Sequence, residues 1–319
     1  MTNSILLVAG GLVLLGLGGE LLVRGAVGMA ARLGISPLLA GLTIVGFGTS
    51  TPELATSVQA ALGGAPGIAV GNVVGSNIAN ILLILGISAL VLPLTVNPAS
   101  FQRDSLAMGC SAFLCTGVVL LGVIGPIPGA VLLACLVGYV WWAYKSESAA
   151  PCPEGARHEA EAEDRPVPPN TGPAILVGMI VAGLVAAIFG AGMLVDGAVV
   201  LAGAAGVSES VIGLTVVAVG TSLPELIACV VAVLRKHADV ALGNIVGSNI
   251  YNLLGILGAT ALIHPIEVPA EIAQNDIWVM LGVTMLLIVQ LRSGWKLSRI
   301  EGGVLLALYC AYTLYLVAR

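Results

Sequence analysis

The sequence predicts an all-α membrane protein with ten transmembrane helices, arranged as two inverted five-helix repeats. Its 319 residues are 58% hydrophobic and only 9% charged, with a mean hydropathy of +1.06. Soluble domains carry roughly a quarter charged residues, so a soluble fold is excluded. The 42 glycines also suit helices in lipid, which associate through small residues. The third observation is that the chain repeats itself at an offset of 172 residues.

About ten apolar runs approach or exceed the roughly 20 residues that a helix needs to cross a bilayer. The first run begins at Ile5 with no basic residue before it. A secretory signal carries a positive segment there, so we predict a retained helix. The predicted helices span residues 4–31, 36–63, 66–92, 103–124, 127–146, 173–204, 208–235, 239–263, 272–291 and 299–318.

A polar linker, residues 148–171, is predicted to separate the first repeat, residues 1–147, from the second, residues 172–319. The linker is rich in proline, glutamate and alanine, and it cannot bury enough apolar surface to order itself. The six cysteines form no CxxC pair, and five of them lie in apolar runs. We interpret them as small core residues rather than metal ligands or disulfides.

The internal repeat is the strongest organisational signal. Residues 41–90 match residues 213–262 at 28 of 50 positions without a gap. The same offset pairs Gly18 with Gly190, so the duplication extends beyond the matching block. Five helices in each half make the second copy enter the membrane from the opposite side. The result is the inverted-topology repeat of many secondary transporters.

The lysines and arginines predict the orientation, because short cytoplasmic loops are enriched in them. With the N-terminus outside, ten of the twelve basic residues fall in inner loops and the linker. Both termini are therefore predicted outside, the linker in the cytoplasm, and the chain in a plasma or inner membrane. Trp141 and Trp142 beside Lys145 are typical of an anchor at the inner interface.

The first motif occurs as GLTIVGFGTSTPEL at residues 41–54 and as GLTVVAVGTSLPEL at residues 213–226. Both copies place glycine and proline in mid-membrane. Proline removes an amide donor and clashes with the carbonyl four residues back. We therefore expect carbonyls near Gly46 and Ala218 to be free of helix hydrogen bonds. Such carbonyls persist only where they face protein or a wet cavity, and a hard cation suits them.

Glu53 and Glu225 follow one turn later, near the middle of apolar segments. Ionisable side chains there are expensive and usually functional. Thr49 and Thr221 precede them by four residues and share their helix faces. Two carboxylates with carbonyls reach the roughly six to eight oxygens that calcium prefers. Because no thiolate or imidazole joins them, soft transition metals are disfavoured.

The second motif occurs as GNVVGSNIANILLILG at residues 71–86 and as GNIVGSNIYNLLGILG at residues 243–258. Three polar side chains spaced by four place a polar stripe on one helix face, which we expect to meet the glutamates. Alternatively, such amides and hydroxyls join neighbouring helices, above all at Asn77 and Asn249. The stripes consist of Asn72, Ser76 and Asn80, and of Asn244, Ser248 and Asn252.

The duplicated GTSxPE and GNxxGSNIxN motifs resemble the alpha repeats of the cation/calcium exchanger superfamily, in particular prokaryotic sodium/calcium exchangers. The resemblance covers the whole ten-helix layout. It implies the sodium/calcium exchanger fold and calcium-for-sodium antiport by alternating access, with helices 1 and 6 sliding over the other eight. It implies no cofactor and no nucleic-acid partner. The metal-binding residues it implies are Gly46, Thr49, Ser50, Glu53, Ser76, Asn80, Ala218, Thr221, Ser222, Glu225, Ser248 and Asn252.

One position departs from part of that family, because Asn252 stands where several sodium/calcium exchangers have aspartate. Two carboxylates balance one calcium ion, but three sodium ions leave a buried charge of +1 at an electrostatic cost. Proton exchange, with Glu53 and Glu225 protonated in the return step, and potassium co-transport therefore stay open. So does a cation channel, although filters are usually assembled from identical subunits. An enzyme is disfavoured, because the chain contains no HExxH or GxSxG motif.

Two further sets of charges lie inside predicted helices. Glu20 and Arg24 are spaced by four in the first helix, and Asp196 is the repeat equivalent of Arg24. We predict ion pairs here that seat the gating helices. Asp104 and Asp276 are also repeat equivalents, and we predict that they cap or anchor the fourth and ninth helices.

Overall fold

The computed structural model describes residues 2–96, 98–148, 167–168, 171–205 and 218–318. These residues are almost entirely helical, and a helical turn, Ala218–Gly220, precedes the eighth of the helices that we number. They are α1 (Thr2–Leu33), α2 (Pro37–Thr49), α3 (Thr51–Leu62), α4 (Pro66–Val91), α5 (Pro98–Val119), α6 (Pro126–Ser148), α7 (Pro173–Ala204), α8 (Leu223–Leu234), α9 (Ala238–Ile263), α10 (Ile272–Gly294) and α11 (Arg299–Ala318).

Seven helices of the described residues are long and apolar enough to cross a bilayer: α1, α4, α6, α7, α9, α10 and α11. In α4 and α9, 78% and 83% of the residues in the most apolar window are buried, against 28% in α1 and α7. The helices that carry the second motif therefore form the centre of the protein. The outer helices expose apolar side chains such as Leu17 and Ile300, as a surface that contacts lipid requires.

Most predicted helices lie within a few residues of their observed bounds, but the fourth was placed wrongly. It was predicted over residues 103–124, whereas α5 spans Pro98–Val119. Proline is favoured in the first helical turn, where its missing amide costs nothing, so the helix begins earlier than the apolar run. The predicted helix 208–235 and the predicted linker both lie partly outside the described residues, which omit 206–217, 149–166 and 169–170.

Two short antiparallel strand pairs close the ends of the structure, and the sequence did not predict them. Strand β1 (Leu94–Thr95) pairs with β4 (Lys296–Leu297), and β2 (Val123–Ile124) pairs with β3 (Ile266–Glu267). Each pair joins one half of the chain to the other. A strand of two residues leaves no alternating pattern for sequence analysis to detect.

Helices α1 and α7 lie antiparallel in backbone contact along glycines spaced by seven residues. A Cβ atom on Gly11 would lie 2.7 Å from the carbonyl oxygen of Gly190, and one on Gly183 would lie 2.7 Å from that of Gly18. Small residues let helices in lipid approach this closely, since dispersion contacts rather than hydrophobic burial hold them together. These two helices therefore form one tightly packed pair.

Helices α2 and α9 also approach through glycine. A Cβ atom on Gly243 would lie 2.2 Å from the carbonyl oxygen of Leu38, and one on Gly247 would lie 2.0 Å from that of Leu42. This contact brings the first motif of one half against the second motif of the other half.

The predicted anchoring of two helices by aspartate is confirmed. Asp104 Oδ1 accepts a hydrogen bond from the Tyr139 hydroxyl at 3.1 Å, which joins α5 to α6. In the second half, Asp276 Oδ1 accepts one from the Tyr312 hydroxyl at 3.1 Å, which joins α10 to α11. Both bonds lie between helices rather than at a helix cap.

Candidate ion-binding site

The first motif interrupts its helix at Ser50, where φ is −81° and ψ is 10°. Because Pro52 has no amide hydrogen, the Gly48 carbonyl loses its helical donor. The Thr51 hydroxyl donates to that carbonyl instead, at 2.7 Å. A π-helical turn over Gly41–Val45 precedes the break. The helix that was predicted as continuous over residues 36–63 is therefore interrupted at the motif.

The second copy is interrupted in the same way at Ser222, where φ is −90° and ψ is 7°, and Pro224 follows in the first turn of α8. Glu53 and Glu225 consequently lie in the first turns of α3 and α8. The unpaired amides at a helix N-terminus favour negative charge, so both breaks stabilise the carboxylates that follow them.

The expectation of a free carbonyl at Gly46 is wrong. Its oxygen accepts the Ser50 backbone amide at 3.2 Å and the Ser248 hydroxyl at 3.1 Å. Here the chain breaks four residues after Gly46, so the last helical hydrogen bond is still made. The Ala218 backbone lies in the helical turn Ala218–Gly220. A role for its carbonyl in ion binding stays a prediction.

The two glutamates are almost fully buried, with 0% of Glu53 and 1% of Glu225 exposed. Glu225 Oε1 accepts a hydrogen bond from Ser50 Oγ at 2.9 Å, which joins the two halves of the chain. Glu225 Oε2 and both carboxylate oxygens of Glu53 have no partner among the described residues. Buried carboxylates are costly unless a positive charge compensates them, so this arrangement favours a bound cation.

More buried oxygens without a described partner belong to the predicted set: Asn80 Oδ1, Ser222 Oγ and Asn252 Oδ1. A hydrogen bond fixes the orientation of the Asn80 side chain, because its Nδ2 donates to Asn249 Oδ1 at 3.1 Å. The Oδ1 atom of Asn80 is then available to another partner. π-helical turns begin at Asn80 and at Tyr251, immediately before Asn252, and such turns are frequent at functional sites.

The other predicted residues lie in the same two motifs. Thr49 is buried, and its hydroxyl donates to the Val45 carbonyl at 3.0 Å and to Asn244 Oδ1 at 3.3 Å. Ser76 is buried on α4, one turn before Asn80, while Thr221 is partly exposed. The alternative role of joining neighbouring helices holds for Asn249, whose Oδ1 on α9 accepts a hydrogen bond from Asn80 Nδ2 on α4 at 3.1 Å. It does not follow for Asn77, whose amide donates to the Val73 carbonyl of its own helix at 2.8 Å.

Two polar residues beside the site were not predicted, Ser57 and Cys229. Asn72 donates to Ser57 Oγ at 2.9 Å, and Asn244 donates to Cys229 Sγ at 3.1 Å. The offset of 172 residues pairs Ser57 with Cys229, and that pairing was the signal that could have found them.

The chemistry of the site is that of oxygen ligands. The candidate residues offer two buried carboxylates, amide oxygens and hydroxyls, and the described residues contain no group of three His, Cys, Asp or Glu side chains placed to hold a metal. Hard cations such as Ca²⁺ and Na⁺ prefer such ligands, whereas soft metals prefer sulfur and imidazole.

Comparison with known proteins identifies the family. The sequence profile of the sodium/calcium exchanger protein family matches residues 3–145 and 175–318. This chain belongs to the sodium/calcium exchanger family. It is therefore a secondary antiporter that exchanges calcium for sodium across the membrane by alternating access, and a transporter rather than an enzyme. The predicted resemblance is confirmed.

Relatives and solved structures cover nearly the whole exchanger. It is 38% identical to the putative antiporter CaxA of Alkalimonas amylolytica over 95% of both chains, and 33% identical to the sodium/calcium exchanger MaX1 of Methanosarcina acetivorans over 99% of both. A structure of the sodium-calcium exchanger NCX_Mj soaked without Na⁺ and Ca²⁺ superposes with a TM-score of 0.84, at 30% identity over 99% of both chains. The helical membrane fold of NCX_Mj is thereby shown for this chain.

Proposed function

We propose that the chain carries Ca²⁺ and Na⁺ alternately at one site, in which Glu53 and Glu225 supply the charge. The observation that carries this proposal is the set of three carboxylate oxygens, nearly inaccessible to solvent, without a described partner. The Ser50 contact to Glu225 supports a site shared by both halves. Neutral oxygens complete it from Thr49, Ser50, Ser76, Asn80, Ala218, Thr221, Ser222, Ser248 and Asn252.

Competition between the two ions follows from this site. Calcium takes about six to eight oxygens, and two carboxylates neutralise its charge. Sodium uses the same oxygens, so its binding displaces calcium and couples the two fluxes. Proton coupling and potassium co-transport are not favoured, because the sodium/calcium exchanger family matches nearly the whole chain.

The proposed topology has ten membrane spans in two inverted repeats, residues 1–147 and 172–319, joined by the linker of residues 148–171. Helices α2 and α3 form one broken span, and residues 218–234 belong to its counterpart. The internal repeat supports this topology. So do the strand pairs, because alternating spans put β1 and β4 on the side of the linker and β2 and β3 on the opposite side.

The proposed orientation places the linker in the cytoplasm and both termini outside a plasma or inner membrane. The basic residues of the short loops support it, since cytoplasmic loops are enriched in lysine and arginine. Lys145 Nζ lies 4.9 Å from the centre of the Trp141 ring, as expected of an aromatic and basic anchor at the inner interface.

Ion pairs of Glu20 and Arg24 were predicted to seat the gating helices, and we propose that Glu20 also closes the linker side of the site. The Glu20 carboxylate on α1 forms an ion pair with Arg24 of the same helix. It also pairs with Arg235, which follows the end of α8, at 2.5 Å from Nη2 to Oε1 and 2.9 Å from Nε to Oε2. The repeat equivalents of Glu20 and Arg235 are glycines 192 and 63, which cannot form such a pair. At the equivalent place, a cavity of about 220 Å³ is lined instead by residues that include Asp196.

Glu20→Gln is expected to open the linker side more often. A partly exposed ion pair contributes up to about 1 kcal/mol, so the equilibrium between closed and open states shifts roughly fivefold. The measurement is the labelling rate of Val23→Cys by a membrane-impermeant maleimide from the linker side, in a chain without its native cysteines. The control is Glu301→Gln in the first turn of α11, where the carboxylate accepts hydrogen bonds from the backbone amide and hydroxyl of the preceding Ser298. Equal labelling rates in the Val23→Cys chain with and without Glu20→Gln or Glu301→Gln contradict the closing role of Glu20.

Sodium competition tests the proposed site directly, and Asn252→Asp sharpens the test. Purified chain should bind calcium-45 at equilibrium, and sodium chloride but not choline chloride should displace it. Three sodium ions carry one more charge than calcium. A third carboxylate therefore favours the sodium-loaded site over the calcium-loaded site. We expect the sodium concentration that displaces half of the calcium to fall in Asn252→Asp. A difference of about 1.4 kcal/mol between the two loaded states corresponds to a tenfold preference for sodium. Asn275→Asp, which adds a carboxylate outside the proposed site, is the control. If sodium does not displace the bound calcium, the two ions do not share one site and the proposal is contradicted.

A further inference from the structure

An asparagine of the second motif holds the backbone of the first glutamate. Asn72 Nδ2 on α4 donates to the carbonyl oxygen of Glu53 at 3.1 Å and to Ser57 Oγ at 2.9 Å. The Ser57 hydroxyl donates in turn to the Ala69 carbonyl at 3.4 Å. This network joins the first two turns of α3 to α4.

The second half contains the same network. Asn244 Nδ2 on α9 donates to the carbonyl oxygen of Glu225 at 3.3 Å and to Cys229 Sγ at 3.1 Å, and Cys229 Sγ donates to the Ala241 carbonyl at 3.4 Å. Each of the four residues lies 172 positions after its counterpart. A thiol replaces a hydroxyl, yet every contact is kept, so the arrangement does not depend on one side-chain type.

Asn244 also reaches the opposite half of the chain. Its Oδ1 accepts the hydroxyl of Thr49 at 3.3 Å, and its side chain is fully buried. One amide therefore joins three groups: the Glu225 backbone, the Cys229 thiol and a predicted ligand of the other repeat.

We propose that Asn72 and Asn244 are positioning residues that set the places of the Glu53 and Glu225 carboxylates. Each glutamate follows a helix break, so the preceding helix does not fix the rotation of its own helix. A hydrogen bond to the glutamate carbonyl supplies that constraint. Binding sites need their ligands held within about 0.5 Å, which a lone flexible glutamate does not achieve. The inference rests on the proposed ion site.

The test compares three leucine variants by calcium affinity and by the rise in melting temperature that calcium produces. Asn244→Leu should raise the calcium Kd about 10- to 100-fold, as losses beside metal ligands do, and should reduce the calcium-induced rise in Tm. Asn72→Leu should act in the same direction with a smaller effect. Asn77→Leu is the matched control, since its buried amide donates to a carbonyl of its own helix and not to a glutamate among the described residues, so its calcium Kd should stay unchanged.

The outcomes separate this role from general stability. A purely structural role lowers the Tm of the ion-free chain and leaves the calcium-induced rise intact, which overturns the proposal. Equal losses of affinity in all three variants overturn it as well. Cys229→Ser keeps a donor and an acceptor, so its calcium Kd should stay within about twofold. Asn72 is only partly buried, so Asn72→Leu decides the matter where Asn244→Leu does not fold. A wild-type chain that binds no calcium overturns the proposed function and this inference together.

Discussion

Replacing Glu225 by glutamine is expected to abolish calcium transport while the chain stays folded. Glutamine has nearly the same shape and can still bond Ser50, so the local packing survives. The negative charge of residue 225 is lost, and the one carboxylate that remains cannot balance a divalent ion. A single unit-charge attraction near 4 Å is worth about 4 kcal/mol at an effective dielectric constant of 20, or roughly 1,000-fold in affinity. The measurement is calcium-45 uptake into proteoliposomes loaded with sodium.

Glu53→Gln should have the same effect, because both oxygens of Glu53 are free of described partners. Glu267→Gln is the matched control, since Glu267 lies exposed on β3 at the end of the protein. Its uptake should equal that of the wild type. Retained transport in either site variant, with normal incorporation into vesicles, contradicts the assignment of both carboxylates to the site.

Gly247→Ala is expected to prevent folding into the native structure. Its Cβ would lie 2.0 Å from the carbonyl oxygen of Leu42 and 2.6 Å from the Leu42 carbonyl carbon. Both are backbone atoms of α2, so no side-chain rotation relieves the clash and the two helices must separate. Overpacking costs about 1–3 kcal/mol where side chains yield, and a backbone clash exceeds that. The measurement is the yield of monodisperse protein and its Tm in detergent.

The control for Gly247→Ala is Gly282→Ala in α10, where the added methyl group meets no atom within 4 Å. Alanine there should leave the Tm unchanged or raise it, because glycine inside a helix costs about 0.5–1 kcal/mol. A Gly247→Ala chain with the yield and Tm of the wild type contradicts the close packing of α2 on α9.

The sequence alone singled out the two glutamates that the structure buries. An ionisable residue in an apolar segment is costly, so Glu53 and Glu225 were conspicuous against their surroundings. Proline beside them predicted backbone carbonyls without a helical donor, and the spacing of four residues placed Asn80 and Asn252 on polar helix stripes that were expected to meet the glutamates. The duplication doubled each of these signals.

Other features depended on three-dimensional contacts that local sequence does not encode. The Gly46 carbonyl was expected to be free, but Ser50 and Ser248 both donate to it, and the second of these residues lies in the other half of the chain. Helix α5 began before its apolar run because Pro98 starts the helix independently of hydropathy. Nothing in the local sequence marks Ser57 or Cys229 as part of the site. Their place beside it follows from the hydrogen bonds that Asn72 and Asn244 donate to them.

Calcium-45 uptake into proteoliposomes loaded with sodium or with choline separates sodium/calcium exchange from uncoupled or proton-driven transport. We expect rapid uptake in sodium-loaded vesicles, none in choline-loaded vesicles, and none with Glu225→Gln under either condition. Uptake that proceeds equally without internal sodium, or that only a proton gradient drives, contradicts sodium/calcium exchange at this site.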